Sequence, residues 1–355
     1  MKIKSITAYL HDFELTRPYT IAYTTHTTAQ NVIVEIHTDD GKIGLGAASP
    51  SVDVTGETFD SCLNALSENS LAFCENKDIA DLPTLLPQIQ TALYQTPAAS
   101  AALDMAVHDL YGQLLNKPLV EVLGRAHQTL PTSITIGIKN LKDTLIEAAE
   151  YIERGFYVLK VKLGHNLEED IERIIKLRER YDSKVLIRVD PNQGYSLKDL
   201  KNFIHKTQDL SIEFLEQPIK AADYALLREL SQKDRDKIAL DESLHHASDA
   251  QKLLTPVPCC GIFNIKLMKC GGIFSGQQIA KIAQEANIKL MWGCMDESII
   301  SITAALHAAF ASPATRYIDL DGSLDLANDV VTGGFHLANG EMSTLNLPGL
   351  GVTKL

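Results

Sequence analysis

Three acidic residues recur at one spacing. Asp190, Glu216 and Asp241 lie 26 and 25 residues apart, and each stands at the end of a run that reads as a strand: Lys184–Asp190, Ile212–Gln217 and Lys237–Asp241. Three carboxylates brought together repel one another unless a cation neutralises them. Oxygen-only donors in that number suit Mg²⁺, which keeps positions open for water or substrate. A single acid at a strand end would read as a helix cap or a solvated loop start. Three in successive units, with lysines nearby, read as a metal site. Lys160 and Lys162 are two apart in Tyr157–Leu163, so they share a face, while Leu159, Val161 and Leu163 take the other. Lys266 stands near the end of the run Gly261–Leu267. A lysine in such a site is expected to have its pKa lowered by burial and by a second ammonium nearby, which makes it a usable base.

That set suits a carbon acid beside a carboxylate or amide. A bound Mg²⁺ would stabilise the negative charge that develops when the proton leaves. One lysine would remove the proton from one face and the opposite lysine would return one to the other, a 1,1-proton transfer. A substrate with a leaving group or an internal electrophile would instead eliminate or cyclise. The last strand-like run ends Asp319-Leu-Asp321, two acids on one face, suited to a substrate ammonium. Thr135, in the first run, faces the same mouth. Asp296 and Ser298 line it after the run Ile288–Gly293. Cys294 and Trp292 read as packing, His245 and His246 as solvated, and Asp325 and Asp329 as surface residues.

The elements that would hold these groups follow from periodicity. Eight runs read as strands: Thr132–Ile138, Tyr157–Leu163, Lys184–Asp190, Ile212–Gln217, Lys237–Asp241, Gly261–Leu267, Ile288–Gly293 and Arg316–Asp321. Helical patterns such as Leu167–Tyr181 and Gln277–Ala286 separate them. Eight β-then-α units predict a parallel barrel with chemistry at the carboxyl ends of its strands. An open doubly wound sheet would carry a glycine-rich phosphate loop after its first strand, but Gly137 is followed by Ile-Lys-Asn-Leu. In the barrel, the strand of Lys266 lies across from that of Lys160 and Lys162, with the three acidic strands between them. Upstream, Lys2–His11, Asn31–Thr38 and Ile43–Ala48 read as strands, the last two joined at Asp39-Asp40-Gly41-Lys42. Residues 57–75, 79–95 and 97–115 read as helices.

The 355 residues carry 33 Lys+Arg against 45 Asp+Glu, a net charge of −12, so neither nucleic acid nor an anionic membrane is the expected partner. The 45% apolar and 22% charged content is globular and excludes a disordered chain. Six scattered cysteines without CxxC spacing, no apolar leader and no membrane-length apolar run predict a cytoplasmic protein.

Lys160-Val-Lys162, Asp190-Pro-Asn192, Glu216-Gln-Pro218, Asp241-Glu-Ser243 and Asn264-Ile-Lys266 together resemble the enolase superfamily, within it the muconate-lactonizing-enzyme subgroup. The segment Ala101–Gly112 and the hairpin Gly44-Leu-Gly46 resemble it too, so the likeness covers essentially the whole chain. It implies an α/β fold: a (β/α)7β TIM-type barrel (126–324) with an N-terminal α+β capping domain (1–125), completed by the tail from about 325 to 355. It implies an isomerase with one Mg²⁺ per subunit held by Asp190, Glu216 and Asp241. Lys162 and Lys266 are the acid/base pair and Lys160 supports the developing charge. Asp319-Leu-Asp321 matches the motif with which dipeptide epimerases hold the α-ammonium group. The expected activity is inversion of the α-carbon of a dipeptide's C-terminal residue, in a homo-oligomer. The alternatives on the same scaffold are a muconate-type cycloisomerase, an o-succinylbenzoate synthase or an N-acylamino acid racemase, whose substrates lack a free α-ammonium. Loops at Tyr19–Ala29 and Ser49–Glu57 would cover the substrate, with Thr24, His26 and Asp53 as specificity positions. Ala-Glu epimerases carry an arginine where Thr24 stands, so other dipeptides, apolar or mixed, are expected.

Overall fold

The computed structural model describes residues 1–21 and 24–355, and the side chains of 1–17 and 27–355. The chain opens with an antiparallel meander, β1 (Ile3–Ile21), β2 (Thr24–Thr38) and β3 (Ile43–Ala48), in spatial order β1-β2-β3. The turn between β2 and β3 is set by Gly41 at φ +81° and by the Thr38 hydroxyl, which donates to Asp40 and accepts from the Lys42 amide. Four helices follow: α1 (Phe59–Ala65), α2 (Leu82–Ala92), α3 (Pro97–Leu114) and α4 (Leu119–Leu123). Helix α3 is buried over most of its length and lies directly on β3. Glycine makes that approach possible, since a Cβ at Gly46 would fall 1.9 Å from the Ala102 carbonyl oxygen.

One expected helix breaks up. Within 57–75, α1 ends at Ala65 and only a 3₁₀ turn at Ala72–Cys74 follows. The hydroxyls of Ser67 and Ser70 both donate to the carbonyl of Asn64, competing with the backbone bonds a longer helix would need. The first strand, in contrast, runs ten residues beyond its expected end at His11.

The segment β4 (Leu130–Pro131) leads into eight parallel strands: β5 (Ile134–Ile136), β6 (Val158–Lys162), β7 (Leu186–Asp190), β8 (Ile212–Glu216), β9 (Ile238–Leu240), β10 (Ile262–Ile265), β11 (Lys289–Gly293) and β12 (Thr315–Asp319). They pair in sequence order from β5 to β12. A bridge between Thr132 and Ile318, with the amide of Ser133 donating to the Ile318 carbonyl, joins the two ends into a barrel. Each of the eight expected strands is present, and each is shorter than its expected run. Helices cover the outside: α5 (Leu141–Glu153), α6 (Leu167–Tyr181), α7 (Leu197–Thr207), α8 (Gln232–Arg235), α9 (Ala247–Leu254), α10 (Leu267–Cys270), α11 (Ile273–Glu285) and α12 (Ile299–Phe310).

The main core lies between strands and helices and runs on into the N-terminal layer. A second, small apolar cluster of Phe214, Ala239, Ile262 and Met291, with Tyr317 against it, lies within the barrel. These residues share the inward faces of their strands with the polar groups further along. The tail forms β13 (Val331–Gly333), β14 (Phe335–Ala338), β15 (Glu341–Thr344) and β16 (Val352–Lys354). It returns to the N-terminal layer: the Leu119 amide donates to the Gly349 carbonyl at 2.8 Å, and the Leu350 amide to Asp109 at 2.8 Å. Among the described residues, no helix is long and apolar enough to cross a membrane.

Candidate active site

The carboxyl ends of β6 to β12 bring the polar residues together. Strand alternation turns Lys160 and Lys162 inward from β6, Asp190 from β7, Glu216 from β8 and Asn264 from β10. The backbone bends sharply just beyond two of the acids. Asn192, Gln193 and Gln217 all have positive φ (44°, 67° and 32°), a costly conformation for glutamine. The bend is put to use: the Gln217 side-chain oxygen accepts from the amides of Asp241 and Ser243 and so ties the end of β8 to that of β9.

Lys160 is 4% exposed and stands among three carboxylates, its Nζ 2.7 Å from Asp319, 2.8 Å from Glu216 and 3.4 Å from Asp190. Lys162, more open, lies 2.6 Å from Asp190. Lys266 lies 2.9 Å from Asp241. A fourth lysine, which sequence reasoning missed, completes the set. Lys269 is 1% exposed and meets Asp241 Oδ1, the Asp241 carbonyl and, at 3.1 Å, the Leu244 carbonyl. Its only sequence signal is its place three residues after Lys266, one turn into α10 on the same side.

Charge and burial compete throughout. Burial alone would raise the Asp190 pKa, but Lys162 and Lys160 outweigh it and hold it low. Lys266 and Lys269 do the same for Asp241. Glu216 goes the other way: burial and the neighbouring Asp190 push it up to about 7. Lys160 and Lys266 depart from the sequence expectation of a lowered pKa. Burial would lower Lys266, but the contact with Asp241 prevails and raises it, and Lys160 is raised by Asp319, Glu216 and Asp190. Neighbouring negative charge, which strand assignment alone could not place, decides the sign.

The donor set fits a divalent cation. Each acid has one oxygen anchored: Asp190 by the Asn192 amide (2.9 Å), Glu216 by Asn264 (2.9 Å) and Asp241 by Lys269. The other oxygens face lysine ammonium groups, Glu216 Oε2 that of Lys160 at 2.8 Å. Among the described residues, no three acidic, histidine or cysteine side chains yet close round one point. Mg²⁺ would take over contacts that the ammonium groups now make.

The remaining expected residues fall into three groups. Asp319 and Asp321 are both buried. Asp319 is held between Lys160 and the Ser133 hydroxyl (2.5 Å), while Asp321 accepts from the Thr135 amide at 2.7 Å. Burial and Asp319 push Asp321 up to about 7. Thr135 thus meets this subsite through its backbone. Asp296 is half-buried, its carboxyl pushed up to about 6 by burial and by Asp325, and its carbonyl accepts from Asn31 and Ser49 of the N-terminal layer. Ser298 departs from expectation: it is fully buried, caps α12 through the Ile300 amide and donates to Asp329, which leaves its hydroxyl nothing for a substrate. Asp329 is therefore a helix-end anchor, and it also accepts from the Ile299 amide at 2.7 Å. Asp53 is exposed in a turn at 51–56. Thr24 and His26 lie on the backbone of β2, but their side chains fall outside the described residues.

Residues 5–124 match the family model for the mandelate racemase / muconate lactonizing enzyme N-terminal domain, and residues 143–354 match the enolase C-terminal domain-like model. The chain is 55% identical over 355 residues, all of both chains, to the L-Lys-D/L-Arg epimerase of Desulforapulum autotrophicum. It is 53% identical over 352 residues, 99% of each chain, to the L-Lys-D/L-Arg epimerase of Methylococcus capsulatus. A crystal structure of the dipeptide epimerase from Methylococcus capsulatus, complexed with Mg and the dipeptide L-Arg-D-Lys, superposes with a TM-score of 0.97 at 53% identity, covering 99% of this chain and 100% of that one.

Proposed function

The chain belongs to the mandelate racemase / muconate lactonizing enzyme family, and on that premise we propose that it is a Mg²⁺-dependent dipeptide epimerase whose substrates carry cationic side chains. The observation that carries the reading is the placement of Lys162 and Lys266, on strands separated by the three acidic ones, above a buried pair of aspartates at the end of β12. The substrate lies with its C-terminal carboxylate toward Asp190, Glu216 and Asp241 and its α-ammonium toward Asp319 and Asp321. Mg²⁺ held by the three acids supplies charge that lowers the cost of removing the α-proton. Lys162 takes or returns the proton on one face of the α-carbon and Lys266 on the other, inverting the C-terminal residue. Lys160, held by Asp319, places a fixed positive charge beside the developing negative one.

Specificity for cationic side chains rests on Asp296, which with Asp321 and Asp325 makes one side of the mouth acidic. An apolar dipeptide would leave that half-buried carboxylate unpaired, whereas a lysine or arginine side chain pairs it. This replaces the sequence expectation of apolar or mixed substrates, which did not take account of that acidic wall. Six cysteines, all free and five of them buried, favour a reducing cytoplasm. The expected homo-oligomer belongs to the same proposal and is read by sedimentation.

The test is proton exchange. L-Lys-L-Arg and related dipeptides are incubated with enzyme and Mg²⁺ in D₂O and followed by NMR. Deuterium should enter only the C-terminal α-position, together with inversion, and cationic dipeptides should exceed L-Ala-L-Glu roughly tenfold or more in kcat/KM. No exchange in any dipeptide, or equal turnover of N-acylated analogues, would overturn the reading in favour of the cycloisomerase or N-acylamino acid racemase class.

A further inference from the structure

Below the catalytic groups lies a buried arginine that the reaction does not use. Arg188 is 1% exposed, two residues before Asp190 on β7, and so points into the barrel. Its guanidinium sits 5.0 Å from the Tyr317 ring centroid and 5.4 Å from that of Phe214, over the apolar cluster inside the barrel. Its Nε donates to Glu213 at 2.9 Å. Its Nη1 donates to the Ile318 carbonyl at 2.8 Å and to the Ser133 hydroxyl at 3.1 Å.

The last two contacts converge on Asp319. Ile318 precedes it on β12, so Arg188 grips the backbone that carries the aspartate. Ser133 has one proton to give, and arginine never accepts a hydrogen bond. With Arg188 donating to the Ser133 oxygen, the serine proton is directed to Asp319 Oδ1 at 2.5 Å. Without Arg188 the hydroxyl could turn toward the Ile318 carbonyl, which lies 3.5 Å away. Asp319 Oδ2 in turn holds Lys160 at 2.7 Å. A single direction of donation therefore runs from Arg188 through Ser133 to Asp319, meeting Lys160 from the other side.

We infer that Arg188 is a positioning residue that acts through Ser133 to aim Asp319, and thereby sets how tightly the substrate's α-ammonium is bound. The inference rests on the dipeptide reading above. It makes the floor of the barrel, rather than the covering loops alone, part of the binding of the N-terminal residue. Glu213 and the two aromatic rings hold Arg188 from below, so its position does not depend on substrate.

The test is a double-mutant cycle read as KM and kcat on L-Lys-L-Arg at saturating Mg²⁺. Arg188→Met keeps the length and removes the donors; Ser133→Ala removes the hydroxyl and leaves Arg188 on Glu213. Each single variant should raise KM roughly tenfold or more, with a smaller change in kcat. Combined, they should raise it less than twofold beyond the larger single effect, because both cut one chain. Arg188→Lys, which keeps a donor, should recover part of the loss. Mg²⁺ affinity by calorimetry should stay within about twofold of the wild type in each variant, which shows that the metal end of the site is folded. If Arg188→Met does not fold, Ser133→Ala alone still decides, since an unchanged KM there breaks the chain. KM effects that multiply, or melting temperatures that fall while KM holds, would overturn the inference and leave the epimerase reading standing. A wild type inactive on every cationic dipeptide would overturn both.

Discussion

Replacing Lys269 with methionine isolates what the fourth lysine contributes. Methionine keeps the length and apolar stem of the side chain but drops the ammonium. The ammonium is 1% exposed and meets one carboxylate oxygen and two carbonyls. Removing one partner of a buried ion pair costs about 3–5 kcal/mol, because the remaining charge is left in a poor solvent. Here Lys266 still holds the other oxygen of Asp241 at 2.9 Å, which favours the low end for the pair itself. The two carbonyls then lose a donor, at about 1 kcal/mol or more each. The expected loss is about 5 kcal/mol without metal. Chemical denaturation in EDTA at pH 7.5 measures it; a melt should fall by roughly 10 °C, at about 2 °C per kcal/mol for a chain of this size. A second variant carries the argument. Lys269→Met with Asp241→Asn removes the stranded charge as well, and should recover about half of the loss. A single variant that loses less than about 1 kcal/mol would refute the reasoning. So would a double variant that loses the sum of the two singles, since that would mean Lys269 and Asp241 do not act on each other.

Three further outcomes are expected. Lys162→Ala and Lys266→Ala should each cost roughly 10²–10⁴ in turnover, and each should still exchange the α-proton of one epimer but not the other, read by NMR in D₂O; equal exchange of both epimers by either variant would refute the two-base assignment. Asp296 is charged above a pH of about 6 and protonated below it, so kcat/KM for a cationic dipeptide should rise with pH through that range relative to an apolar one. Asp296→Asn should abolish that difference and cost roughly 10–100-fold on the cationic substrate at pH 8, and an unchanged preference would remove Asp296 from the specificity side. His307 is buried, accepts from the Val120 amide at 2.8 Å, and is lowered to about 3 by burial and then by Arg125. Its folded pKa lies below the unfolded one, so the unfolded chain takes the proton first as pH falls, and stability is lost from about 6.5 downward. That is about 2 kcal/mol by pH 5, and His307→Asn, which keeps an acceptor for Val120, should flatten the slope between pH 7 and 5 in denaturant titrations; identical slopes would sink this account.

Much of the barrel was legible because its period is local. A strand buried on both faces reads as a short apolar run wherever it falls, and eight such runs with helical patterns between them admit few topologies. The i, i+2 rule then turns Lys160 and Lys162 to one side, and the strand spacing places Asp190, Glu216 and Asp241 at one height. The helix expected over 57–75 failed for an equally local reason, since Ser67 and Ser70 bond back to Asn64 and end it early. Ser298 lay at the right place in the chain, but its hydroxyl is taken by the cap of α12 and by Asp329, 31 residues away.

The sequence by itself determined the class of fold, the residues at the mouth and the kind of chemistry they support. Those follow from the alternation of side chains along a strand and the spacing of successive strands, both properties of the chain. Closure of the barrel decided which cation meets which carboxylate: Lys160 among three acids, Lys269 on Asp241, and Arg188 reaching Asp319 through Ser133. It also reversed the expected sign of the pKa shifts of Lys160 and Lys266. Burial and charge act in opposite directions on a lysine, and their balance depends on distances of about 3 Å between residues that lie up to 159 positions apart in the chain.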